Sequence, residues 1–336
     1  MKIGIANDLP AAVEELRRVL APRAEHTVIW IARDGTEAVT LCARETPDLV
    51  LMDLIMPGVD GVEATRRIMK ATPCAILIVT ASVGANAARV FDAMGYGALD
   101  AVDMPVLARG DLQDSVAPFL KKIDTISKLV RAPRFIPSAD TLGETARIAR
   151  RERLVAIGAS AGGPGALHIL LCGLPKEFPA AVVIVQHMDE RFASGMAEWL
   201  NSDSALPVRI AKEGDRPTAG TVLVAGTNDH LMFKAAERIG YAPEPLEQPY
   251  RPSVDVFFAS VAALWLGEVV GVVLTGMGRD GALGLKTLRD KGHYTIAQDH
   301  ATSAVYGMPK AAAALGAAVD ILPLERIAPR LSEIFG

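Results

Sequence analysis

Residues 154–171 read L-V-A-I-G-A-S-A-G-G-P-G-A-L-H-I-L-L. An apolar, strand-like run over 154–157 gives way to glycines around Ser160, and a helix-like segment follows from Gly165 to Leu171. Strand, tight turn and helix in this order form the unit from which parallel α/β sheets are built. The serine at the bend has three physical uses. Gly158-x-Ser160-x-Gly162 matches the spacing of a nucleophile elbow, whose glycines permit the sharp turn that exposes a hydroxyl. Serine also caps helices, and glycine-rich turns ahead of helices cradle phosphates. The local sequence leaves all three open.

The same alternation continues outward. Downstream, further strands are predicted over 181–185, 221–225, 269–274 and 294–297, their near-continuous apolar character suiting parallel strands buried on both faces. Upstream, strands are predicted over 2–6, 27–32, 49–52, 75–79 and 99–102. Helices lie between them; Pro10 opens the first, with Val13, Leu16 and Leu20 on one face, and a longer helix over 111–130 closes the set. The pattern fails over 131–153, where Pro133, Pro137 and Gly143 interrupt it and Arg147, Arg150, Arg151 and Arg153 crowd the end. This segment reads as an interdomain linker with a helical second half and the arginines on a solvated face. The fold class is therefore α/β, with two doubly wound parallel-sheet domains: residues 1–124, a linker over 125–150, and residues 151–336.

Composition narrows the function. The 336 residues are half hydrophobic with a formal net charge of −4, enough to bury two cores and weak grounds for a nucleic-acid binder. Cys42, Cys74 and Cys172 are widely spaced, without a C-x-x-C pair, which argues against structural zinc or a disulfide framework and suits a reducing cytoplasm. No apolar run approaches the roughly 18 residues of a membrane span, and the first residues lack a signal-peptide pattern.

In the first domain Asp8 follows the first strand and Asp53 ends the third. With strands ordered 2-1-3-4-5 these strands are neighbours, so both carboxylates meet at one rim. Close carboxylates repel unless a cation such as Mg²⁺ lies between them, and such a pocket can orient an aspartate toward phosphorus. Thr80 ends the fourth strand and could donate a hydrogen bond there; alternatively, the aspartates cap the helices that follow. Asp8, Asp53 in D-L-I-M-P-G-V-D-G and Thr80 in V-T-A-S resemble the receiver domain of two-component response regulators over about the first 124 residues. The resemblance implies that Asp53 accepts a phosphoryl group and that Asp8 and Asp53 hold Mg²⁺, with Asn7 and Thr80 in support. Three departures stand out: Asn7 where a second acid is usual, Met104 where a lysine is usual, and Ala101 at the aromatic switch position. The missing lysine removes a charge that would pair with the phosphoryl group.

In the second domain a nucleophilic Ser160 needs a base and an orienting acid. His187 directly follows the strand ending V-I-V-Q and is the first candidate; His230, read as a loop residue, is the second, and His168 falls on the helix after Ser160. Asp280, in T-G-M-G-R-D-G after the strand over 269–274, is the leading acid, with Asp189, Asp229 and Asp299 as competitors. Ser160, His187 and Asp280 all lie just past carboxyl ends of parallel strands, which a sheet gathers at one edge. Backbone N–H groups of Ala161 and of the loop around Met277 are candidates for an oxyanion hole. I-G-A-S-A-G-G-P, V-I-V-Q-H-M, V-L-T-G-M-G-R-D-G and I-A-Q-D-x-A-T-S-x-V-x-G-M-P resemble the catalytic domain of the CheB protein-glutamate methylesterases. That resemblance implies a Ser160–His187–Asp280 triad with Met277 in the oxyanion hole. It also implies cofactor-free hydrolysis of glutamyl methyl esters on cytoplasmic chemoreceptor helices, deamidation of receptor glutamines, and phosphorylation by a CheA-type histidine kinase. Asn7 and Met104 look like those of a branch serving a non-flagellar chemosensory array. The alternatives are a catalytically silent signalling adaptor and a DNA-binding regulator.

Overall fold

The computed structural model describes residues 1–106, 112–131, 152–235 and 237–336. The N-terminal half carries the strands β1 (Lys2–Ala6), β2 (Thr27–Ala32), β3 (Leu49–Met52), β4 (Ala75–Thr80) and β5 (Asp100–Asp103), parallel and ordered β2-β1-β3-β4-β5. Every residue of β3 and β4 is buried, as covering on both faces requires. Around them lie α1 (Pro10–Leu20), α2 (Gly35–Arg44), α3 (Gly61–Ala71), α4 (Ala87–Gly95) and α5 (Leu112–Arg131). The side chains of Asp34 and Asp60 cap α2 and α3 by accepting the Glu37 and Glu63 N–H groups. α5 runs to Arg131, close to the helix expected over 111–130. The expectations for Arg147, Arg150 and Arg151 fall outside the described residues. Arg153 is not on a free solvated face: it begins a strand, pairs with Glu268 at 3.4 Å and covers the Phe335 ring.

The C-terminal half carries β6 (Arg153–Ala159), α6 (Gly163–Cys172), β7 (Ala181–Gln186), α7 (Glu190–Asp203), β8 (Val208–Ile210), β9 (Val222–Val224), β10 (His230–Ala235) and β11 (Arg238–Ala242). It continues through α8 (Val254–Leu264), β12 (Glu268–Val273), α9 (Ala282–Asp290), β13 (Tyr294–Gln298), α10 (Met308–Ala314), β14 (Asp320–Leu322) and α11 (Leu324–Phe335). Its parallel sheet has seven strands, ordered β14-β13-β12-β6-β7-β9-β8. The chain leaves central β6 through β7 toward β8, then returns to β12 on β6's other side. That reversal places a crevice at the carboxyl ends of β6 and β12.

The two halves touch along α4, which packs on α6 and α7. Phe91 stacks on Trp199 at 5.9 Å, and one apolar cluster joins Phe91 and Met94 to Leu167 and Phe192. The Met94 carbonyl accepts the Gly162 N–H at 2.7 Å. Lys122 pairs with Asp100 at 2.5 Å and reaches Asp189 across the interface at 3.6 Å.

Candidate active site

The turn after β6 is held by its own backbone. Ser160 N–H donates to the Thr275 carbonyl at 3.0 Å, and the Ser160 carbonyl accepts Gly163 N–H at 2.7 Å. Gly162 adopts φ +78°, and a Cβ there would lie 2.6 Å from that of Ala304, so only glycine fits. Gly162, not Ser160, is the N-cap of α6, so the capping use of the serine is set aside. Nor is the turn an open phosphate cradle: Gly162 N–H is taken by Met94 and Gly163 N–H by Ser160. The serine hydroxyl has no hydrogen-bond partner among the described residues, although Ser160 is only 4 % exposed.

His187 continues β7, its N–H bonded to the Ala159 carbonyl at 3.0 Å, which ties it to the strand end carrying Ser160. Its Nε2 lies 2.7 Å from Asp280 Oδ2, and its Nδ1 is buried without a partner among the described residues. The Tyr250 ring stacks on the imidazole at 4.0 Å and 10°. Asp280 sits at the start of α8, where Val254 N–H donates to Oδ2 at 2.6 Å, Asp255 N–H to Oδ1 at 3.0 Å, and the Ser253 hydroxyl to Oδ1 at 2.8 Å. Burial pushes the Asp280 carboxyl upward, but the His187 hydrogen bond and charge, with the helix N–H groups, outweigh it and hold the pKa below the ordinary carboxylate value. Neighbouring Asp255 goes the other way: burial and the Asp280 charge raise it to about 7.

Thus His187 and Asp280 are brought together, and Ser160 lies on the adjoining strand end without a hydrogen bond to the imidazole. Catalytic hydrogen bonds commonly tighten only when substrate binds. Four of the named competitors are otherwise engaged, while among the described residues Asp229 is engaged only through its backbone N–H, which donates to Thr227 Oγ1 at 3.2 Å. His230 opens β10 rather than lying in a loop; buried, it accepts Ser253 N–H at Nδ1 and donates to the Pro245 carbonyl at Nε2, a structural role. His168 stacks on Trp199 at 4.8 Å. Asp189 caps α7 and bonds Arg191, while Asp299 accepts from Thr302. The N–H groups of Ala161 and Met277 make no hydrogen bond among the described residues. Sequence reading missed Ser253 and Tyr250, which carry no motif, and passed over Gln186, which stands inside one.

In the first domain the carboxyl ends of β1 and β3 do meet. Asn7 Nδ2 donates to Asp53 Oδ2 at 3.2 Å and its Oδ1 accepts Leu9 N–H at 2.9 Å. Asp53 is half-buried; burial, joined by the charge of Asp8, raises its pKa against the pull of the Ile55 and Leu54 N–H groups. Neither aspartate caps a helix: the N-caps are Leu9 and Asp60. Thr80 Oγ1 accepts from Asn86 Nδ2 at 3.1 Å, Ala101 is fully buried, and partly buried Met104 packs on the core cluster that holds Leu77 and Phe119. A half-buried carboxylate beside a second one suits an oxygen-seeking divalent cation that keeps much of its water shell. Among the described residues no three His, Cys, Asp or Glu side chains gather into a metal cluster, and no helix is long and apolar enough to cross a membrane.

Comparison with known proteins agrees with both halves. The CheB methylesterase family profile matches residues 155–331, and the response regulator receiver domain profile matches residues 3–117. A protein-glutamate methylesterase/protein-glutamine glutaminase of Burkholderia thailandensis is 62% identical over 331 residues, covering 98% of this chain and 96% of its own. A Pseudomonas fluorescens protein of the same description is 59% identical over 337 residues, covering 100% of this chain and 99% of its own. The crystal structure of the Thermotoga maritima CheB methylesterase catalytic domain aligns with a TM-score of 0.53 at 35% identity, over 56% of this chain and all of that one. The chain belongs to the CheB methylesterase family, with a receiver domain ahead of the catalytic one.

Proposed function

We propose that this chain hydrolyses glutamyl methyl esters, and deamidates glutamines, on the cytoplasmic helices of chemoreceptors, and that phosphorylation of Asp53 by a CheA-type kinase raises its rate. The observation carrying the reading is the 2.7 Å His187–Asp280 bond beside the Ser160 turn, in a chain of this family. Asp280 holds the tautomer that bears its proton on Nε2, leaving Nδ1 as the base. Nδ1 takes the Ser160 proton as Oγ attacks the ester carbonyl, and the Ala161 and Met277 N–H groups receive the oxyanion. Methanol departs with the proton from Nδ1. Water then gives a proton to Nδ1 and its OH to the acyl carbon, and the Oγ–acyl bond breaks as Nδ1 returns that proton to Ser160, freeing glutamate. A glutamine follows the same path with ammonia as the leaving group. The test is methanol release from a methylated receptor fragment, which a silent adaptor would not produce.

In the receiver half, Asp8 and Asp53 would hold Mg²⁺, which when bound neutralises phosphoryl charge. Asp53 is the phosphoacceptor, and Asn7 and Thr80 orient its surroundings. Asp53→Asn is expected to leave basal methanol release within about twofold while abolishing any stimulation by acetyl phosphate and Mg²⁺, since the acyl-phosphate cannot form. Stimulation persisting in Asp53→Asn would remove the regulatory claim and leave the chemistry standing.

The α4–α6 contact supports a covered, resting state. A Cβ on Gly165 would lie 3.2 Å from the Gly95 Cα, so a branched side chain there would press α4 and α6 apart. Gly165→Val is therefore expected to raise the unphosphorylated rate about tenfold or more and to shrink the stimulation by phosphodonor toward unity. An unchanged basal rate would mean that the contact does not restrain the enzyme.

A further inference from the structure

We infer that Gln186 is a positioning residue that aims the Ala161 N–H at the developing oxyanion; the inference rests on the esterase reading above. Gln186 is the last residue of β7 and is 1 % exposed. Its single Nε2 donates to two carbonyls, Ser160 O at 2.9 Å and His187 O at 3.0 Å. Both amide hydrogens are thus spent on the backbones of the proposed nucleophile and base. Its Oε1 is buried and unpaired among the described residues. A buried acceptor without a donor is unfavourable, and an apolar side chain of the same length would avoid it. Packing therefore does not explain a glutamine here, whereas the two donated bonds do.

Planarity converts those bonds into an effect on catalysis. The Ser160 carbonyl and the Ala161 N–H belong to one trans peptide and point in opposite directions. Gripping the carbonyl between Gln186 Nε2 and Gly163 N–H therefore fixes the direction of an N–H that has no acceptor of its own among the described residues. An oxyanion donor is effective to the extent that it is already aimed, because it then needs no reorganisation as charge develops. Gly163 makes room for the arrangement: a Cβ on it would lie 2.0 Å from Gln186 Oε1.

Two variants of the full chain test this, assayed on a methylated receptor fragment with acetyl phosphate and Mg²⁺. Gln186→Met removes the two donated bonds at nearly constant shape. Gly163→Ala keeps the glutamine but displaces its amide. Each is expected to lower kcat by about 10- to 100-fold with KM within about twofold, since the loss falls on the transition state. Binding of a peptidyl trifluoromethyl ketone, which forms a tetrahedral oxyanion on serine, should weaken by a similar factor. The acidic limb of the kcat/KM profile should not move, because the imidazole keeps Asp280 and Tyr250. The proposal is overturned by an unchanged kcat, by a KM that rises as far as kcat falls, or by a shifted acidic limb. Should Gln186→Met fail to fold, Gly163→Ala decides by the same readouts. A parent chain that releases no methanol would instead sink the esterase reading.

Discussion

Ser160→Ala is expected to fold as the parent chain does and to release methanol about 10⁵- to 10⁶-fold more slowly, which in practice is no release. Both halves of that expectation come from the turn. The hydroxyl has no hydrogen-bond partner among the described residues, so its loss leaves no buried group unsatisfied. The bonds that shape the turn, Ser160 N–H to Thr275 and Gly163 N–H to Ser160, are backbone and survive the change. Stability should stay within about 0.5 kcal/mol of the parent's. The catalytic loss is large because the remaining machinery has nothing to act on: His187 can activate water, but without the acyl-enzyme the oxyanion donors meet no covalently held carbonyl. Thermal unfolding and methanol release on one preparation check both parts. A stable Ser160→Ala chain retaining a substantial rate would place the nucleophile elsewhere. Full loss with a stable fold would exclude a mere scaffolding role for this hydroxyl.

How much of this was legible depends on how far each signal reaches along the chain. The parallel α/β class followed from apolar runs such as L-V-L-M at 49–52 and A-V-V-I-V at 181–185, because strands buried on both faces must be apolar throughout. The strands that escaped are of two kinds. β8 and β14 have three residues each, too few to show any period. The sequence K-A-A-E-R spanning the end of β10 and the start of β11 lacks the Asn-Gly or Asp-Gly signal of a tight turn. Reading His230 as a loop residue followed from missing that hairpin, and its candidacy as a base went with it.

The candidate residues were legible wherever strand order alone brings residues near. Ser160, His187 and Asp280 each follow a predicted strand, and adjacency of β6, β7 and β12 puts those strand ends side by side. What supports them was not legible. Ser253 and Tyr250 arrive from the segment ahead of α8, which the sheet does not order, and nothing local marks them as neighbours of Asp280 and His187. Gln186 was quoted inside a motif, but its role depends on where one amide nitrogen points, and no spacing rule reports that.

The acid of the site carries the second large effect. Asp280→Asn is expected to reduce kcat by about 10³- to 10⁴-fold. The carboxylate accepts from the His187 ring, from two backbone N–H groups of α8 and from the Ser253 hydroxyl. An amide has one oxygen to offer, and its NH₂ must face donors wherever it turns. If the NH₂ takes the place of Oδ2, it meets Val254 N–H and His187 Nε2. The imidazole then accepts at Nε2 and carries its proton on Nδ1, where it cannot take one from Ser160. If the NH₂ turns instead toward Ser253 and Asp255, α8 loses its anion and the imidazolium its counter-charge. Either way the neutral side chain fails to stabilise the charged histidine that forms in each step. The same substitution has a signature in stability. The Asp280 pKa is depressed in the folded chain, so it adds stability above the unfolded carboxyl value of about 4 and loses it as pH falls through the lower folded value. Asp255 has the opposite sign: with its pKa raised to about 7, partly by the Asp280 charge, it costs stability as pH climbs from about 4 toward 7. Asp280→Asn removes the first contribution and relieves the second. Its unfolding free energy should therefore vary less with pH than the parent's, both below pH 4 and between pH 4 and 7. Denaturant titrations at pH 3.5, 5.5 and 7.5, set beside kcat at each pH where the chain is folded, measure both effects. A variant that kept the parent's kcat would show that His187 does not need this carboxylate, whatever its 2.7 Å contact suggests.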